Sequence, residues 1–237
     1  METATIIDLE NVTRTFREAN RPRTVLEETS LQVREGEFIV LLGRSGSGKT
    51  TLLHLIAGIE RADSGRVQVA GLDLTRATDR ERTLFRRSKL GIIFQSLNLI
   101  PTLTVRENVE LRLELNGALD GHGRQRASDL LEKVGLGDRG ESSPDVLSGG
   151  EQQRVAIAAA LAHHPEIVLA DEPTGNLDAA RGHEVVTLLD HLVRSENLTL
   201  IMATHSPEMI GYADRVIAIE EGRIIEQAPP PQATRES

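Results

Sequence analysis

Four short apolar runs punctuate the chain, and each ends in a residue able to do chemistry. Phe38-Ile39-Val40-Leu41-Leu42 runs into Gly43, and Leu90-Gly91-Ile92-Ile93-Phe94 into Gln95. Ile167-Val168-Leu169-Ala170 runs into Asp171 and Glu172, and Leu198-Thr199-Leu200-Ile201-Met202-Ala203-Thr204 into His205. Unbroken aliphatic and β-branched runs separated by helical stretches predict buried strands of a parallel sheet. Ligands of such sheets bind outside the carboxyl ends of the strands. The pattern therefore brings Lys49, Gln95, Glu172 and His205 to one crevice, although residues 49 to 205 span 157 positions.

Helices are legible between the strands. Lys49 to Ala57 carries Leu52, Leu53, Leu55 and Ile56, and Gly58 is a natural C-terminal stop. Asp178 is placed to cap a helix whose apolar face is Val185, Val186, Leu189, Leu192 and Val193. Ser148 and Glu151 form S-x-x-E, a capping box that starts a helix running through Val155, Ile157 and Leu161. The segments Ile6 to Val33 and Arg66 to Ala70 predict antiparallel strands. Residues from about 101 to 144 are mostly helical in pattern, and a helical subdomain is expected over about 97–160 within a single domain, 1–237. The tail, about 228–237, opens Ala228-Pro229-Pro230-Pro231 and is expected to be disordered.

Composition removes several function classes. Twenty-seven basic against thirty-six acidic side chains give a net charge of −9, against a dedicated nucleic-acid binder, which needs a basic face. No Trp, one Tyr and four Phe are too few for a base-stacking platform. With no cysteine there are no disulfides, thiolate metal sites or thiol catalysis. Apolar runs of about five residues fall far short of the roughly 20 needed to span a bilayer. The expectation is a chain that does not itself cross a membrane.

The chemistry lies in three stretches. Gly43-Arg44-Ser45-Gly46-Ser47-Gly48-Lys49-Thr50 fits G-x-x-x-x-G-K-[ST], a phosphate loop whose glycines at 43, 46 and 48 let backbone N–H groups turn toward an anion. The helix after it adds its positive dipole end, Lys49 would reach the β- and γ-phosphates, and Thr50 would ligate Mg²⁺. Asp171 and Glu172 follow a buried strand. Alone, such a pair is an ordinary solvated strand end. Beside the loop, Asp171 takes a metal-holding role and Glu172 that of the base polarising the attacking water. Gln95 and His205 stand at the ends of the neighbouring strands, suited to the metal shell and the γ-phosphate. The third stretch, Leu147-Ser148-Gly149-Gly150-Glu151-Gln152-Gln153-Arg154, is a second helix start with two glycines and a serine, hence a second anion site. Two adjacent glycines weaken a helix, so capping alone does not account for them. One nucleotide already has its cradle, and a second makes sense if it closes over the nucleotide of another copy.

In this order the motifs resemble those of ABC-transporter ATPases, over about residues 6 to 226: Walker A at 43–50, Q-loop Gln95, signature 147–151, Walker B 167–171, catalytic Glu172, D-loop 175–178 and switch His205. Ala170-Asp171-Glu172-Pro173-Thr174-Gly175-Asn176-Leu177-Asp178 and Asn98-Leu99-Ile100-Pro101-Thr102-Leu103-Thr104-Val105-Arg106-Glu107-Asn108-Val109 are similar to the lipoprotein-release, macrolide-export and cell-division branch. The resemblance implies a P-loop NTPase fold of α/β class, with a mainly parallel core sheet, an N-terminal antiparallel β subdomain and an inserted helical subdomain. It implies ATP and Mg²⁺ as ligands, with Phe16, residues 43–50, Thr51, Gln95, Ser148–Glu151, Asp178 and His205 around the nucleotide and Thr50, Gln95 and Asp171 around the metal. Lys49, Gln95, Glu172 and His205 would carry catalysis. It implies a head-to-tail homodimer acting on a separately encoded membrane permease, docked near Leu97 to Glu107, at the cytoplasmic face of the membrane. The cell-division type, with a non-transporting membrane partner, is the alternative. A chromosome-organising ATPase is disfavoured by the lack of a heptad run between residues 50 and 167, and a tandem translation factor because each motif occurs once. Four positions depart from the family pattern. Phe16 stands for a stacking Tyr, Arg44 for Pro, Ala159 for Arg in the signature helix and Ser206 for Asp.

Overall fold

All four apolar runs lie in one sheet, at its centre and one edge. The computed structural model describes residues 4–18 and 21–227, so the tail expected to be disordered lies outside the described residues. In chain order the elements are strands β1 (Thr5–Glu18), β2 (Arg21–Arg34) and β3 (Phe38–Leu42), helix α1 (Lys49–Ile56), strands β4 (Ser64–Val69) and β5 (Leu72–Asp73), and helix α2 (Asp79–Lys89). Strand β6 (Leu90–Ile93) leads to helices α3 (Val105–Leu115), α4 (Gly121–Lys133) and α5 (Gly149–Leu161). Then follow β7 (Ile167–Asp171), α6 (Ala179–Ser195), β8 (Thr199–Thr204), β9 (Arg215–Glu220) and β10 (Arg223–Gln227).

The larger sheet has the order β10-β9-β3-β8-β7-β6, parallel from β9 to β6 with β10 antiparallel at the edge. The smaller sheet, β2-β1-β4-β5, is antiparallel. Strand alternation sorts the core into two layers. Ile39, Leu41, Leu169, Ile201 and Ile217 face α1 and the antiparallel sheet, where Leu52, Leu55, Ile7 and Val67 complete one buried cluster. Phe38, Val40, Val168, Leu200 and Met202 face the other way, toward Val109, Leu130, Val155, Val185 and Leu189 of the helices. Residues buried on both faces explain why these strands are continuous apolar runs rather than alternating ones.

Capping fixes the helix starts. Ser148 and Glu151 form the expected reciprocal box, and Asp178 accepts from the Arg181 N–H. Two further boxes, Thr78 with Glu81 and Thr104 with Glu107, start α2 and α3. Arg126 on α4 donates to the carbonyls of Leu161 (2.9 Å) and Ala162 (3.2 Å) and grips Glu196 at 2.7 and 2.9 Å. One guanidinium thus ties α4 to the last turns of α5 and α6, where cations suit the helix dipoles. Burial works to raise the pKa of the Glu196 carboxyl, but the Arg126 hydrogen bonds together with the charges of Arg126, Lys133 and His164 outweigh it and hold the group below its ordinary value.

Strands β9 and β10 and helix α2 are not among the expected elements. Val216–Ile219 is a short apolar run with no chemically marked residue after it, yet it pairs in parallel with β3. Ala159, at one departure from the family pattern, packs partly buried against the helix-side cluster.

Gly91 is a point of close approach between the sheet and the α5 backbone. A Cβ there would lie 2.6 Å from the Ala160 carbonyl oxygen and 3.3 Å from the Pro165 ring. Gly91→Ala is expected to destabilise the fold by about 1–3 kcal/mol through overpacking, lowering Tm by roughly 2–4 °C per kcal/mol. Thermal unfolding followed by circular dichroism checks this; an unchanged Tm would show that α5 can shift freely.

Candidate active site

At the carboxyl end of β3 the chain folds into the phosphate loop. Gly46 and Gly48 take φ of +76° and +110°, which L side chains rarely adopt. Gly43 serves differently, because its φ is not positive. A Cβ there would lie 2.4 Å from Ser47 Oγ, so the loop closes only over a bare backbone. The loop wraps the Lys49 ammonium, which is 6% exposed and donates to the carbonyls of Gly43 (2.7 Å) and Arg44 (3.3 Å). Neutral carbonyls compensate a buried ammonium only in part. Its nearest carboxylate oxygen is Glu172 Oε1, at 3.6 Å.

Strand β7 delivers both carboxylates. Successive side chains on a strand point to opposite faces. Glu172, just past the strand, has φ +47°, and this left-handed turn lets both Asp171 and Glu172 line one cavity. A left-handed conformation is unfavourable for Glu and is held by Glu172 N–H donating to Ala203 O (2.9 Å) on the neighbouring strand. Thr50 Oγ1 donates to Asp171 Oδ2 at 2.8 Å. Asp171 Oδ1 is buried and has no hydrogen-bond partner among the described residues. An orphaned carboxylate oxygen beside a hydroxyl is the kind of donor set that a hard divalent cation completes with phosphate and water. No group of three or more His, Asp or Glu suited to a metal occurs among the described residues. His205 Nδ1 stands 2.9 Å from Glu172 Oε2, so Glu172 bridges the lysine and the histidine.

These groups line a cavity of about 710 Å³. Of the expected residues it brings together Phe16, Arg44, Ser45, Gly46, Ser47, Gly48, Lys49, Thr50, Thr51, Gln95, Asp171, Glu172 and His205. Gly43 stays behind the loop and contributes its carbonyl to Lys49. Gln95 is exposed at the rim, and its carbonyl accepts from Asn176 Nδ2 at 3.0 Å. Within one chain, Ser148, Gly149, Gly150, Glu151 and Asp178 do not line this cavity. They form a second patch, in which Ser148 and Gly149 are exposed, and a Cβ on Gly150 would lie 3.9 Å from Arg181 Cδ. The hydrogen bonds from the Ser148 hydroxyl and N–H hold the Glu151 carboxyl below its ordinary pKa.

Sequence reasoning missed the wall beside the loop. Glu18, Arg23 and Val25 on the β1–β2 hairpin line the cavity with Phe16, and the Arg14 guanidinium lies over the Phe16 ring at 4.6 Å. Only strand pairing could have revealed these residues, since no motif marks them.

A family model described as ABC transporter matches residues 26–175. An uncharacterized ABC transporter ATP-binding protein of Mycobacterium tuberculosis is 54% identical over 220 residues, covering 93% of this chain and 89% of that protein. The lipoprotein-releasing system ATP-binding protein LolD of Paramagnetospirillum magneticum is 41% identical over 220 residues, covering 93% and 97%. Among solved structures, the ATP-binding cassette MJ0796, a dimer in a post-hydrolysis state bound to ADP and Pi, superposes with a TM-score of 0.86 at 37% identity, covering 95% of this chain and 99% of that one. No helix among the described residues is long and apolar enough to cross a membrane. With this match and these relatives, the chain belongs to the ABC transporter family, as an ATP-binding, ATP-hydrolysing subunit of the branch that includes the LolD and MacB proteins.

Proposed function

We propose that two copies of this chain close head to tail around two ATP molecules, and that closing and reopening drives a membrane permease carried on a separate chain. The observation that carries this reading is the split site. Residues 44–51, Gln95, Asp171, Glu172 and His205 line one cavity, while the second helix start, Ser148–Glu151, lines no part of it and exposes Ser148 and Gly149 to solvent. A nucleotide held by the loop of one copy would meet Ser148, Gly149 and Gly150 of the other. The dimeric, ADP- and Pi-bound state of the MJ0796 cassette supports the pairing, and the LolD relative supports a membrane partner of export or lipoprotein-release type. That partner would hold the subunit at the cytoplasmic face of the membrane, with docking near Leu97 to Glu107 beside Gln95. The nucleotide must bind the closed dimer more tightly than the open form, since only that difference does work.

In the reaction, water attacks the γ-phosphorus, an O–P bond forms, and the bridging bond to ADP breaks. Glu172 stands to accept the water proton, and His205, hydrogen-bonded to it, holds that carboxylate and the γ-phosphate in register. Lys49 counters charge on the phosphate chain. Thr50 and Asp171, with Gln95 at the rim, would hold Mg²⁺, which when bound would supply neutralising positive charge to the phosphates. Free backbone N–H groups of the phosphate loop would donate to the same oxygens when nucleotide binds.

Three substitutions separate these roles. Glu172→Gln is expected to lower turnover at least about 100-fold while keeping ATP affinity within about threefold, and to leave a stable ATP-bound dimer. Phosphate-release assays and equilibrium ATP binding measure both, and unchanged turnover would remove Glu172 from the reaction. Ser148→Arg is expected to abolish ATP-dependent dimerisation while monomer binding stays within about threefold, because Ser148 belongs to the other copy's site. Sedimentation velocity with ATP reads this directly; a persisting dimer contradicts the two-copy site. Lys49→Ala should weaken ATP binding by about 10- to 100-fold, as loss of a charge-assisted hydrogen bond does, measured by titration calorimetry.

A further inference from the structure

The cavity wall adjoining the phosphate loop is one face of the β1–β2 hairpin. Phe16 and Arg23 are direct cross-strand partners, so their side chains project from the same face. Both line the cavity, with Glu18 two residues beyond Phe16 on the same strand. Arg23 divides its guanidinium between two structures. Nη1 donates to Glu18 Oε1 on the hairpin at 2.9 Å, and Nη2 donates to the Gly46 carbonyl of the phosphate loop at 3.0 Å. Gly46 occupies the left-handed region, and a Cβ there would lie 3.3 Å from Arg23 Nη2. The same hairpin touches the loop once more, where a Cβ on Gly48 would lie 3.0 Å from the Val25 carbonyl oxygen.

The Arg23–Glu18 pair is 49% and 62% exposed, and exposed ion pairs contribute little to fold stability. What it does is mechanical. The Arg14 guanidinium lies over the Phe16 ring, which lines the cavity where a nucleobase would stack on it. The strand that faces Phe16 is then pinned, through Arg23, to the turn that must present its N–H groups to phosphate.

We propose that Arg23 is a nucleotide-positioning residue joining the base-stacking hairpin to the phosphate loop, so that seating the base and seating the phosphates are one event. This rests on the ATP reading above and adds a specific coupling within that site. Arg23 acts through Phe16 and Gly46 and takes no part in the chemical step. Its loss therefore raises the cost of reaching the bound state without altering the bound state's reactivity, an effect on KM rather than kcat.

The test is a double-substitution cycle on the full chain, with ATP affinity by titration calorimetry, ATPase kinetics and Tm for the wild type, Arg23→Ala, Phe16→Ala and the double variant. Arg23→Ala is expected to raise Kd and KM for ATP about 3- to 10-fold with kcat within about twofold and Tm unchanged. Arg23→Lys, which can still reach the Gly46 carbonyl, recovers most of that loss. Phe16→Ala costs at least about threefold less in the Arg23→Ala background than in the wild type, the sign of coupled residues. Unchanged Kd in Arg23→Ala, or losses that multiply independently in the double variant, overturn the coupling while leaving the ATP reading intact. A fall in kcat together with Tm overturns it as well, by making Arg23 a structural brace. Failure of the wild type to bind ATP overturns both.

Discussion

The site depends on parallel strands ending at one level. Leu42 pairs with Thr204, and Asp171 with Ala203, so β3, β8 and β7 finish side by side. The loop after β3, the carboxylates after β7 and the histidine after β8 therefore start from one edge, whatever their distance in sequence. Antiparallel pairing of any of these strands would send one of the three groups to the far side of the sheet. Two-faced burial maintains the register. A one-residue slip would exchange the side chains facing α1 with those facing the helical layer and mismatch both cores at once.

Within that frame, several arrangements at the nucleotide site look incomplete without a ligand. Glu172 sits at positive φ, Asp171 Oδ1 and Ser47 Oγ are buried without partners among the described residues, and the Lys49 ammonium leans on carbonyls. Each arrangement is unfavourable in an isolated chain and becomes reasonable when phosphate and a divalent cation fill the space between. The second patch is the opposite case. Ser148 and Glu151 cap one another reciprocally, so their helix start is formed without any ligand in its own chain.

Much of this was legible in the sequence, for identifiable reasons. A buried parallel strand must be a continuous apolar run, so Phe38–Leu42 and Ile167–Ala170 announce themselves. A helix start that needs a cap writes it in side chains, as at Ser148 and Asp178. Strand β9 was hidden because Val216–Ile219 ends in no chemical marker. Helix α2 was hidden despite its capping box, since only Arg82 and Phe85 of its eleven residues are buried and no apolar stripe shows. Arg23 was invisible because its role comes from pairing across a hairpin and from one carbonyl of a distant loop. In sequence Gly91 reads simply as part of a strand, whereas in the fold it leaves room for the α5 backbone.

The central proposition is that no single copy owns a finished reaction chamber. A cryo-EM or crystal structure of the Glu172→Gln protein with Mg·ATP addresses it. Two copies should appear related by a twofold axis, with Ser148 Oγ and the N–H groups at 149 and 150 of one copy within about 3.2 Å of the terminal phosphate held by Lys49 of the other. If that phosphate is enclosed by one chain alone, with both glycines facing open solvent, the two-copy chamber does not exist.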